Sequence, residues 1–263
     1  MRIVSIGSSS SGNSYIIQAG GKNLLLDVGL SATKILGALD SYGIAPGDID
    51  AVLITHEHVD HVKSIRKIAK ECANAKFYAS RGTVSSCDNF QHVEAARLCL
   101  VKRRDSIEMG NLTVRCFGLS HDAREPIGYS VVADGEQLTV VTDTGVITDE
   151  IYQEMRTADL LVLEANHEEN MLMYGDYPYN VKMRIKSDYG HLSNVYTGEM
   201  LARLLGERSD EALTIMLAHL SDKNNTPYQA RMTIEDILRE NGYARDEDYY
   251  LCIAAKEGLC EPR

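Results

Sequence analysis

The chain has 263 residues, of which 44% are hydrophobic and 25% are charged, and its formal net charge is −11. This composition is typical of a soluble globular protein that is long enough for a sizeable core. No apolar run approaches the roughly 18 residues of a membrane helix, and the net acidity argues against broad, non-specific adhesion to nucleic acid while leaving room for a local basic track.

Short apolar runs predict strands that alternate with amphipathic helices along the whole chain. The predicted strands are residues 2–6, 14–18, 23–28, 51–55, 112–117, 127–133, 138–143, 160–165 and 213–219. The predicted helices are residues 31–42, 62–72, 148–157, 193–206 and 227–240. No linker, repeat or low-complexity segment divides these elements, so we expect a single domain over residues 1–263.

The six cysteines form no CxxC pair and are expected to be reduced thiols. The apolar run at the N-terminus is too short for the core of a signal peptide. We therefore expect a cytoplasmic protein without membrane association, and we leave its oligomeric state open.

The stretch ITHEHVDHVKSIRKIAK, residues 54–70, contains His56, His58, Asp60 and His61 within six positions. Neutral imidazoles with a carboxylate are ligands that suit zinc, manganese and iron, whereas the alternative is a chance cluster at a solvated helix start. The HExxH motif of zinc proteases is excluded because an aspartate stands where its second histidine is needed. The segment therefore predicts a metal site of another kind.

A site for two metal ions would need more ligands than the six residues 56–61 can supply. Further ligands are therefore expected elsewhere in the chain. Three candidates each follow a predicted strand, namely His121, Asp143 and His219. Each alone could be an ordinary core or surface residue. Together they predict ligands that converge at one sheet edge.

The order of Asp27, HEHVDH (56–61), His121, Asp143 and His219 resembles the five-motif pattern of the metallo-β-lactamase superfamily. This resemblance implies an α/β fold of the four-layer αββα sandwich type over nearly the whole chain. It also implies two divalent transition-metal ions, zinc or manganese with iron as a further option.

The same resemblance implies a role for each matching residue. One metal ion would be held by His56, His58 and His121, the second by Asp60, His61 and His219, with Asp143 bridging them. Asp27 would brace the histidine loop from outside the ligand set. Because His58 stands where the oxygen-reducing diiron branch carries a carboxylate, the chain resembles the hydrolases of the fold.

Several further stretches resemble the YycJ/WalJ group of this superfamily, which is regarded as DNA-directed with 5′-exonuclease-type activity. They are SSSSGNSY (8–15), SHDAREPIGY (120–129), LEANHE (163–168), YGHLSN (189–194) and LAHLSDKNNTP (217–227). The chain lacks the inserted domain of the larger β-CASP nucleases. The resemblance implies a nucleic-acid substrate, DNA in particular.

His191 resembles a non-ligand histidine of the transfer-RNA 3′-processing nucleases that serves the leaving oxygen. Glu164 and His167 lie in a stretch similar to the acid-bearing loop of those enzymes and would orient it. The alternative is that His191 only opens the helix near Ser193. His167 is equally compatible with an ordinary buried or surface histidine.

Two basic runs are candidates for contacts to phosphate. Lys63, Arg66, Lys67 and Lys70 have helical spacing, and a charge stripe of this kind is more often a solvated helix face. Lys182, Arg184 and Lys186 lie beside four tyrosines (174, 177, 179 and 189), which is a pattern that suits single-stranded nucleic acid. Ser10, Ser11 and Asn13 would cradle a terminal phosphate, unless their segment is a flexible turn.

These patterns predict a dinuclear metal-dependent phosphodiesterase, in particular a DNA 5′-exonuclease. The two metal ions would clamp the phosphate, Asp60 would orient the attacking water as well as bind metal, and His191 would assist the leaving oxygen. The alternatives are a thioester or lactone hydrolase on the same metal site and a non-enzymatic metal-holding interaction module.

Overall fold

The computed structural model describes residues 1–208 and 212–262, which form two mixed β-sheets with α-helices. The chain divides into two compact units whose segments are interleaved in sequence. The first unit is Met1–Gly118, Ala123–Glu136 and Ala255–Glu261, and the second is Leu119–Asp122, Gln137–Ala254 and Pro262. The single domain expected over residues 1–263 stays a prediction. In the described part of the chain, no helix has the length and apolar character needed to span a membrane.

Thirteen strands occur within the described residues. They are β1 Arg2–Ser9, β2 Gly12–Ala19, β3 Lys22–Leu26, β4 Ala51–Leu53, β5 Lys76–Ser80, β6 Leu98–Val101, β7 Ser106–Met109, β8 Leu112–Gly118, β9 Ile127–Ala133, β10 Glu136–Val141, β11 Leu160–Glu164, β12 Leu213–Ala218 and β13 Tyr249–Ile253.

Nine α-helices occur within the same residues. They are α1 Ala32–Ser41, α2 Val59–Val62, α3 Ile65–Glu71, α4 Arg81–Ser85, α5 Asp149–Arg156, α6 Glu169–Tyr174, α7 Tyr179–Ile185, α8 Asn194–Gly206 and α9 Pro227–Glu240.

The first unit contains the six-stranded sheet in the order β1-β2-β3-β4-β5-β6 and the antiparallel ladder β9-β8-β7. Strands β3, β4 and β5 are parallel, with Leu26 opposite Leu53 and Leu53 opposite Tyr78. Apolar faces of α1 and α3 pack into the core beside these strands, through Ile35, Leu39, Ile65 and Ile68 among others. The carboxyl ends of β3 and β4 therefore lie side by side, where Asp27 and the histidine segment follow.

The second unit contains the parallel ladder β10-β11-β12-β13. Val141 of β10 lies opposite Leu163, and Leu163 lies opposite Leu217. Because parallel strands end at the same edge of a sheet, the residues that follow β10, β11 and β12 come together there. All nine predicted strands are present.

The predicted elements are confirmed except in boundaries and in one helix. The predicted helix over 62–72 is instead two helices, α2 and α3, separated at Ser64. The backbone N–H of Ser64 donates to the carbonyl of Val28 (2.9 Å) and its hydroxyl donates to the carbonyl of Leu30 (2.5 Å). These bonds to the loop after β3 replace helical bonds and break the helix directly after His61 and Val62.

Candidate metal centre

The HEHVDH segment lies in the first unit, between the end of β4 and the end of α2. His58 is the N-cap residue of α2, whereas Asp60 and His61 lie within that helix rather than on a loop. His56 and His61 are fully buried. The Nε2 atom of His56 lies 3.0 Å from the Nδ1 atom of His58, and the His61 ring lies 4.1 Å from the His56 ring between centroids. The 3.0 Å between the nitrogens of His56 and His58 is close to the separation of two ligands on one ion. Zinc–nitrogen bonds of about 2.0–2.1 Å place neighbouring donor atoms about 3.3 Å apart.

The carboxylate of Asp27 forms hydrogen bonds with the histidine segment, as the family resemblance implies. Its Oδ2 atom lies 2.8 Å from the Nδ1 atom of His61, and its Oδ1 atom accepts from the backbone N–H of Thr55 (2.9 Å). The hydroxyl of Thr55 also lies 3.0 Å from the Nδ1 atom of His56. With the hydrogen of His61 placed on Nδ1, its Nε2 atom carries the lone pair that a metal ion needs. Thr55 was missed by sequence analysis, because nothing but its place before His56 marks it.

Gly29 allows α2 to pack closely against the loop after β3. A Cβ atom at this position would lie 1.5 Å from the carbonyl oxygen of Asp60, so only glycine fits. The N–H of Val28 donates to the carbonyl of His61 (2.8 Å), which ties the same two segments together. This close approach positions Asp60 and His61, and the sequence signals it only by a glycine after a predicted strand.

Asn13 was predicted to bind substrate phosphate, but its side chain is buried in the first unit. Its Oδ1 atom accepts from the N–H of Ser9 and the hydroxyl of Ser8 (3.1 Å each), and its Nδ2 atom lies 3.2 Å from the Nε2 atom of His61. Ser10 and Ser11 are exposed at the tip of the turn between β1 and β2. Asn13 therefore faces His61, and the phosphate role expected of Ser10, Ser11 and Asn13 stays a prediction.

In the second unit, Asp143, Glu164 and His219 lie at the shared edge of β10, β11 and β12. One donor atom of each of them and of His191 lies within 4.8 Å of the others. The Oδ1 atom of Asp143 lies 3.4 Å from the Nε2 atom of His219, and the rings of His191 and His219 are 5.2 Å apart between centroids. Such a set of a carboxylate and imidazoles has the chemistry of a transition-metal site.

Glu164 is the buried carboxylate that organises this cluster. Its Oε1 atom accepts from the Nδ1 atoms of His219 (2.7 Å) and His191 (2.8 Å), and its Oε2 atom accepts from the backbone N–H groups of Thr144 and Leu192 (3.2 Å each). Burial by itself would raise the pKa of Glu164, but the charges and hydrogen bonds of His191 and His219 outweigh burial and hold that pKa well below its usual range. Glu164 therefore contacts His191 directly, and its expected role in orienting His191 during catalysis stays a prediction.

His121 is held by the segment that follows α7. Its Nδ1 atom lies 3.1 Å from the carbonyl oxygen of Gly190, and the hydroxyl of the preceding Ser120 donates to the carbonyl of Asp188 (2.7 Å). A Cβ atom on Gly190 would lie 2.1 Å from the carbonyl of Ile185, so this segment needs glycine there. Burial is the main cause that lowers the pKa of His121, which favours the neutral ring that metal binding requires.

Lys182, Arg184 and Lys186 have protein partners in the second unit. The ammonium of Lys182 donates to the carbonyl of Met173 (2.8 Å), Arg184 pairs with Asp122, and Lys186 lies 3.9 Å from Glu169. Tyrosines 174, 179 and 189 of the same region are largely exposed. Phosphate binding by these cations stays a prediction.

The other basic run, Lys63, Arg66, Lys67 and Lys70, is exposed. Lys67 forms an ion pair with Glu71 (2.9 Å). This geometry agrees with the interpretation of the stripe as a solvated helix face.

His167 is buried, and its role differs from that of Glu164. Its carbonyl accepts from the N–H of Asn194 (2.9 Å), and among the described residues its Nδ1 atom has no hydrogen-bond partner. Burial is the main cause that lowers the pKa of His167 to about 4. No hydrogen bond links its ring to His191 in the described residues, so its predicted orienting role has no direct contact behind it and stays a prediction.

Positive backbone φ angles occur at several of the candidate site residues. Of the six non-glycine residues with positive φ among those described, three are Asp27 (φ 54°), Asp143 (φ 59°) and His219 (φ 55°). Each follows a strand, and the left-handed conformation ends that strand and turns the side chain. Positive φ costs about 1–3 kcal/mol at such residues and persists at functional sites. This is why the strands predicted over 23–28 and 138–143 end earlier, at Leu26 and Val141.

The chain is similar to known proteins in both sequence and fold. A family model described as the β-lactamase superfamily domain matches residues 22–210. The chain belongs to the metallo-β-lactamase superfamily. Within it, the chain is 35% identical over 238 residues to the exodeoxyribonuclease WalJ of Streptococcus pneumoniae, covering 89% of this chain and 87% of the relative.

A second superfamily relative is the exodeoxyribonuclease YycJ of Bacillus anthracis, which is 32% identical over 245 residues, covering 93% of this chain and 91% of the relative. The metallo-β-lactamase-fold protein YhfI from Bacillus subtilis has a TM-score of 0.72 at 18% identity, covering 99% of this chain and 98% of that chain. The predicted fold, the superfamily and the likeness to the YycJ/WalJ group are confirmed. The protein is a metal-dependent hydrolase of this superfamily, whose fold implies divalent metal ions.

The histidines of both units suit such ions. His61 has its Nδ1 atom held by Asp27, His219 by Glu164, and His121 by the Gly190 carbonyl. Anchors of this kind are the usual partners of metal-binding histidines, because they direct the Nε2 lone pair away from the protein framework. The donor sets therefore fit transition-metal ions.

Proposed function

We propose that the protein is a dinuclear metal-dependent phosphodiesterase that removes nucleotides from the 5′ end of DNA, with the seven ligands that the family resemblance implies. The observation that carries this proposal is the similarity to two exodeoxyribonucleases over about nine-tenths of the chain. Anchored histidines and buried carboxylates in both units support it.

The bound metal ions would supply Lewis-acid stabilisation of the phosphate and an activated water. The chain would supply the proton for the leaving group. The Nδ1 atom of His191 donates to the Oε1 atom of Glu164 (2.8 Å), so the Nε2 atom of His191 is the one that would give a proton to the departing oxygen, while Glu164 would hold the orientation of the ring. Asp60, 18% exposed at its side chain, is the ligand whose carboxylate would also orient the attacking water.

One experiment tests the activity and its polarity. Oligonucleotides of DNA and RNA, labelled at the 5′ or the 3′ end, are incubated with the protein and Mn²⁺, Zn²⁺ or a chelator. We expect stepwise loss from the 5′ end of DNA that the chelator abolishes. A thioester and a lactone are assayed beside them, and their turnover with intact oligonucleotides would refute the nuclease proposal.

The metal content is a separate prediction. Purified protein should contain close to two transition-metal ions per chain, because seven ligands are too many for one tetrahedral site. His58→Ala should lower this content and abolish hydrolysis, while circular dichroism shows that the fold survives. Fully active protein with a single tightly bound ion would refute the dinuclear mechanism.

A further inference from the structure

A basic pocket lies in the first unit beside the turn between β1 and β2. It has a volume of about 180 Å³. Its lining contains three lysines and three serines, which are Lys34, Lys63, Lys256, Ser9, Ser11 and Ser31. Glu257 is the acid that lines it. Three lysines against one glutamate leave a local charge of about +2 in a chain whose net charge is −11.

The chemistry of this lining suits a phosphate group. Ammonium groups bind phosphate as point charges, and serine hydroxyls add hydrogen-bond donors. Ser31 is the N-cap residue of α1, a ten-residue helix, so the positive end of that helix lies at the pocket wall. Ser9 is buried and its hydroxyl accepts from the N–H of Ser11 (3.1 Å), which fixes the shape of the turn.

The pocket wall is continuous with the candidate metal segment. Gly29, which lines the pocket, lies against the carbonyl of Asp60, and Lys63 directly follows α2. On the other side, the N–H of Ser9 donates to Asn13, whose Nδ2 atom lies 3.2 Å from the Nε2 atom of His61. A group bound in the pocket would thus lie close to the predicted metal ligands, with Gly29 between it and Asp60 and with Asn13 between it and His61.

We infer that this pocket binds the 5′-terminal phosphate of a DNA strand, an inference that rests on the proposed nuclease function. A terminal phosphate carries a charge of about −1.5 to −2 at pH 7, whereas an internal phosphodiester carries a single negative charge. The local charge of the pocket matches the terminal group. Of the four cations in the run from Lys63 to Lys70, Lys63 is the one that lines the pocket.

The test measures binding rather than turnover. Two DNA oligonucleotides of one sequence, with a 5′-phosphate or a 5′-hydroxyl and with phosphorothioate linkages at that end, are titrated with the metal-loaded full chain by fluorescence anisotropy. We expect the 5′-phosphorylated strand to bind about tenfold more tightly, as hydrogen bonds to a charged group would give. In the Lys34→Gln/Lys256→Gln double variant the ratio of the two dissociation constants should fall toward one.

A variant of opposite sign sharpens the test. Glu257 pairs with Lys34 at 2.8 Å, so Glu257→Gln should release that ammonium and increase the preference for the 5′-phosphate. Lys70→Gln removes one charge from an exposed lysine outside the pocket and is the matched control, with an unchanged ratio.

Equal binding of the two strands by the wild-type chain would overturn the inference, as would a ratio that the double variant leaves unchanged. Equal weakening of both strands in the double variant would also overturn it, because an internal phosphodiester would then occupy the pocket. Turnover of unmodified strands is measured separately. A retained 5′-phosphate preference without any turnover would refute the nuclease function and support the pocket.

Discussion

At the scale of single residues, hydrogen-bond acceptors select the ring nitrogen that each histidine offers. Glu164 is the clearest case, because its one Oε1 atom accepts from both His219 and His191. A carboxylate in this position raises the basicity of the ring and fixes its orientation. A residue that is not itself a metal ligand but holds one in place should therefore control metal affinity.

Glu164→Gln should lower metal affinity about 10- to 100-fold, because the neutral amide holds the two rings less firmly. Competition with a chromogenic chelator measures this affinity. Glu169→Gln is the control, since Glu169 lies nearby with a half-exposed side chain paired to Lys186. Unchanged affinity in Glu164→Gln would show that Glu164 does not position His219 for a metal ion.

His191→Ala should reduce the chemical rate about 10²–10⁴-fold, the usual size of acid–base assistance. Metal content should stay the same, because His191 is assigned no metal ion. Single-turnover kinetics and metal analysis on the same sample check both statements. Loss of metal would make His191 a ligand, and an unchanged rate would remove its leaving-group role.

At the scale of elements, the short helix α2 depends on close packing rather than on its own length. A four-residue helix has no stability of its own, so its position is determined by contacts with the loop after β3. Those contacts include the approach of Gly29 to the Asp60 carbonyl. The ligands on α2 are thus placed by a neighbouring segment.

Gly29→Ala should displace α2, because the added Cβ would overlap the Asp60 carbonyl at 1.5 Å. We expect a loss of about 1–3 kcal/mol in the free energy of unfolding, together with weaker metal binding. Gly37→Ala is the matched control, since a Cβ there meets nothing within 4 Å and alanine suits the interior of α1. It should stabilise the protein by about 0.5–1 kcal/mol. Urea unfolding of both variants checks the two signs, and equal effects would contradict the packing argument.

At the scale of the whole molecule, buried neutral histidines make stability depend on pH. His167 has a pKa of about 4 in the folded chain against an ordinary value of 6.5. The unfolded chain therefore binds the proton more readily between these values, and stability falls as pH decreases through this window. At neutral pH the ring is neutral in both states, so the contribution of His167 is fully present there.

Replacing His167 isolates this effect. Between pH 7 and pH 5, the unfolding free energy of the metal-free wild-type protein should fall by about 2 kcal/mol more than that of His167→Gln. Denaturant unfolding at several pH values gives the comparison. Parallel pH profiles for the two proteins would show that His167 is not a buried neutral group.

The sequence by itself determined nine of the thirteen described strands, most of the longer amphipathic helices and the order of the candidate ligands. Strand and helix patterns are local, since side chains repeat every two residues or every 3.6 residues and bury one face. The HEHVDH segment was visible for the same reason, as its members lie within six positions. The likeness to a known superfamily then indicated the fold.

Four of the described strands, β5, β6, β7 and β13, were not predicted, and β6 and β7 lacked such a local signal. They contain four residues each and are partly exposed at the ends of their ladders, so neither shows a clear apolar run. The short helices α6 and α7 were missed as well, because apolar periodicity cannot be recognised over six or seven residues.

Only the tertiary structure decided that Thr55, Gly29 and Asn13 also contact the candidate ligands or their neighbours. Thr55 and Gly29 act through contacts with segments that are distant in sequence, and Asn13 faces His61 across 48 positions. The basic pocket brings together residues near 10, 30, 63 and 256. Such contacts leave no periodic pattern in the sequence, because they arise only when the strands have paired and the loops at their ends have packed against one another.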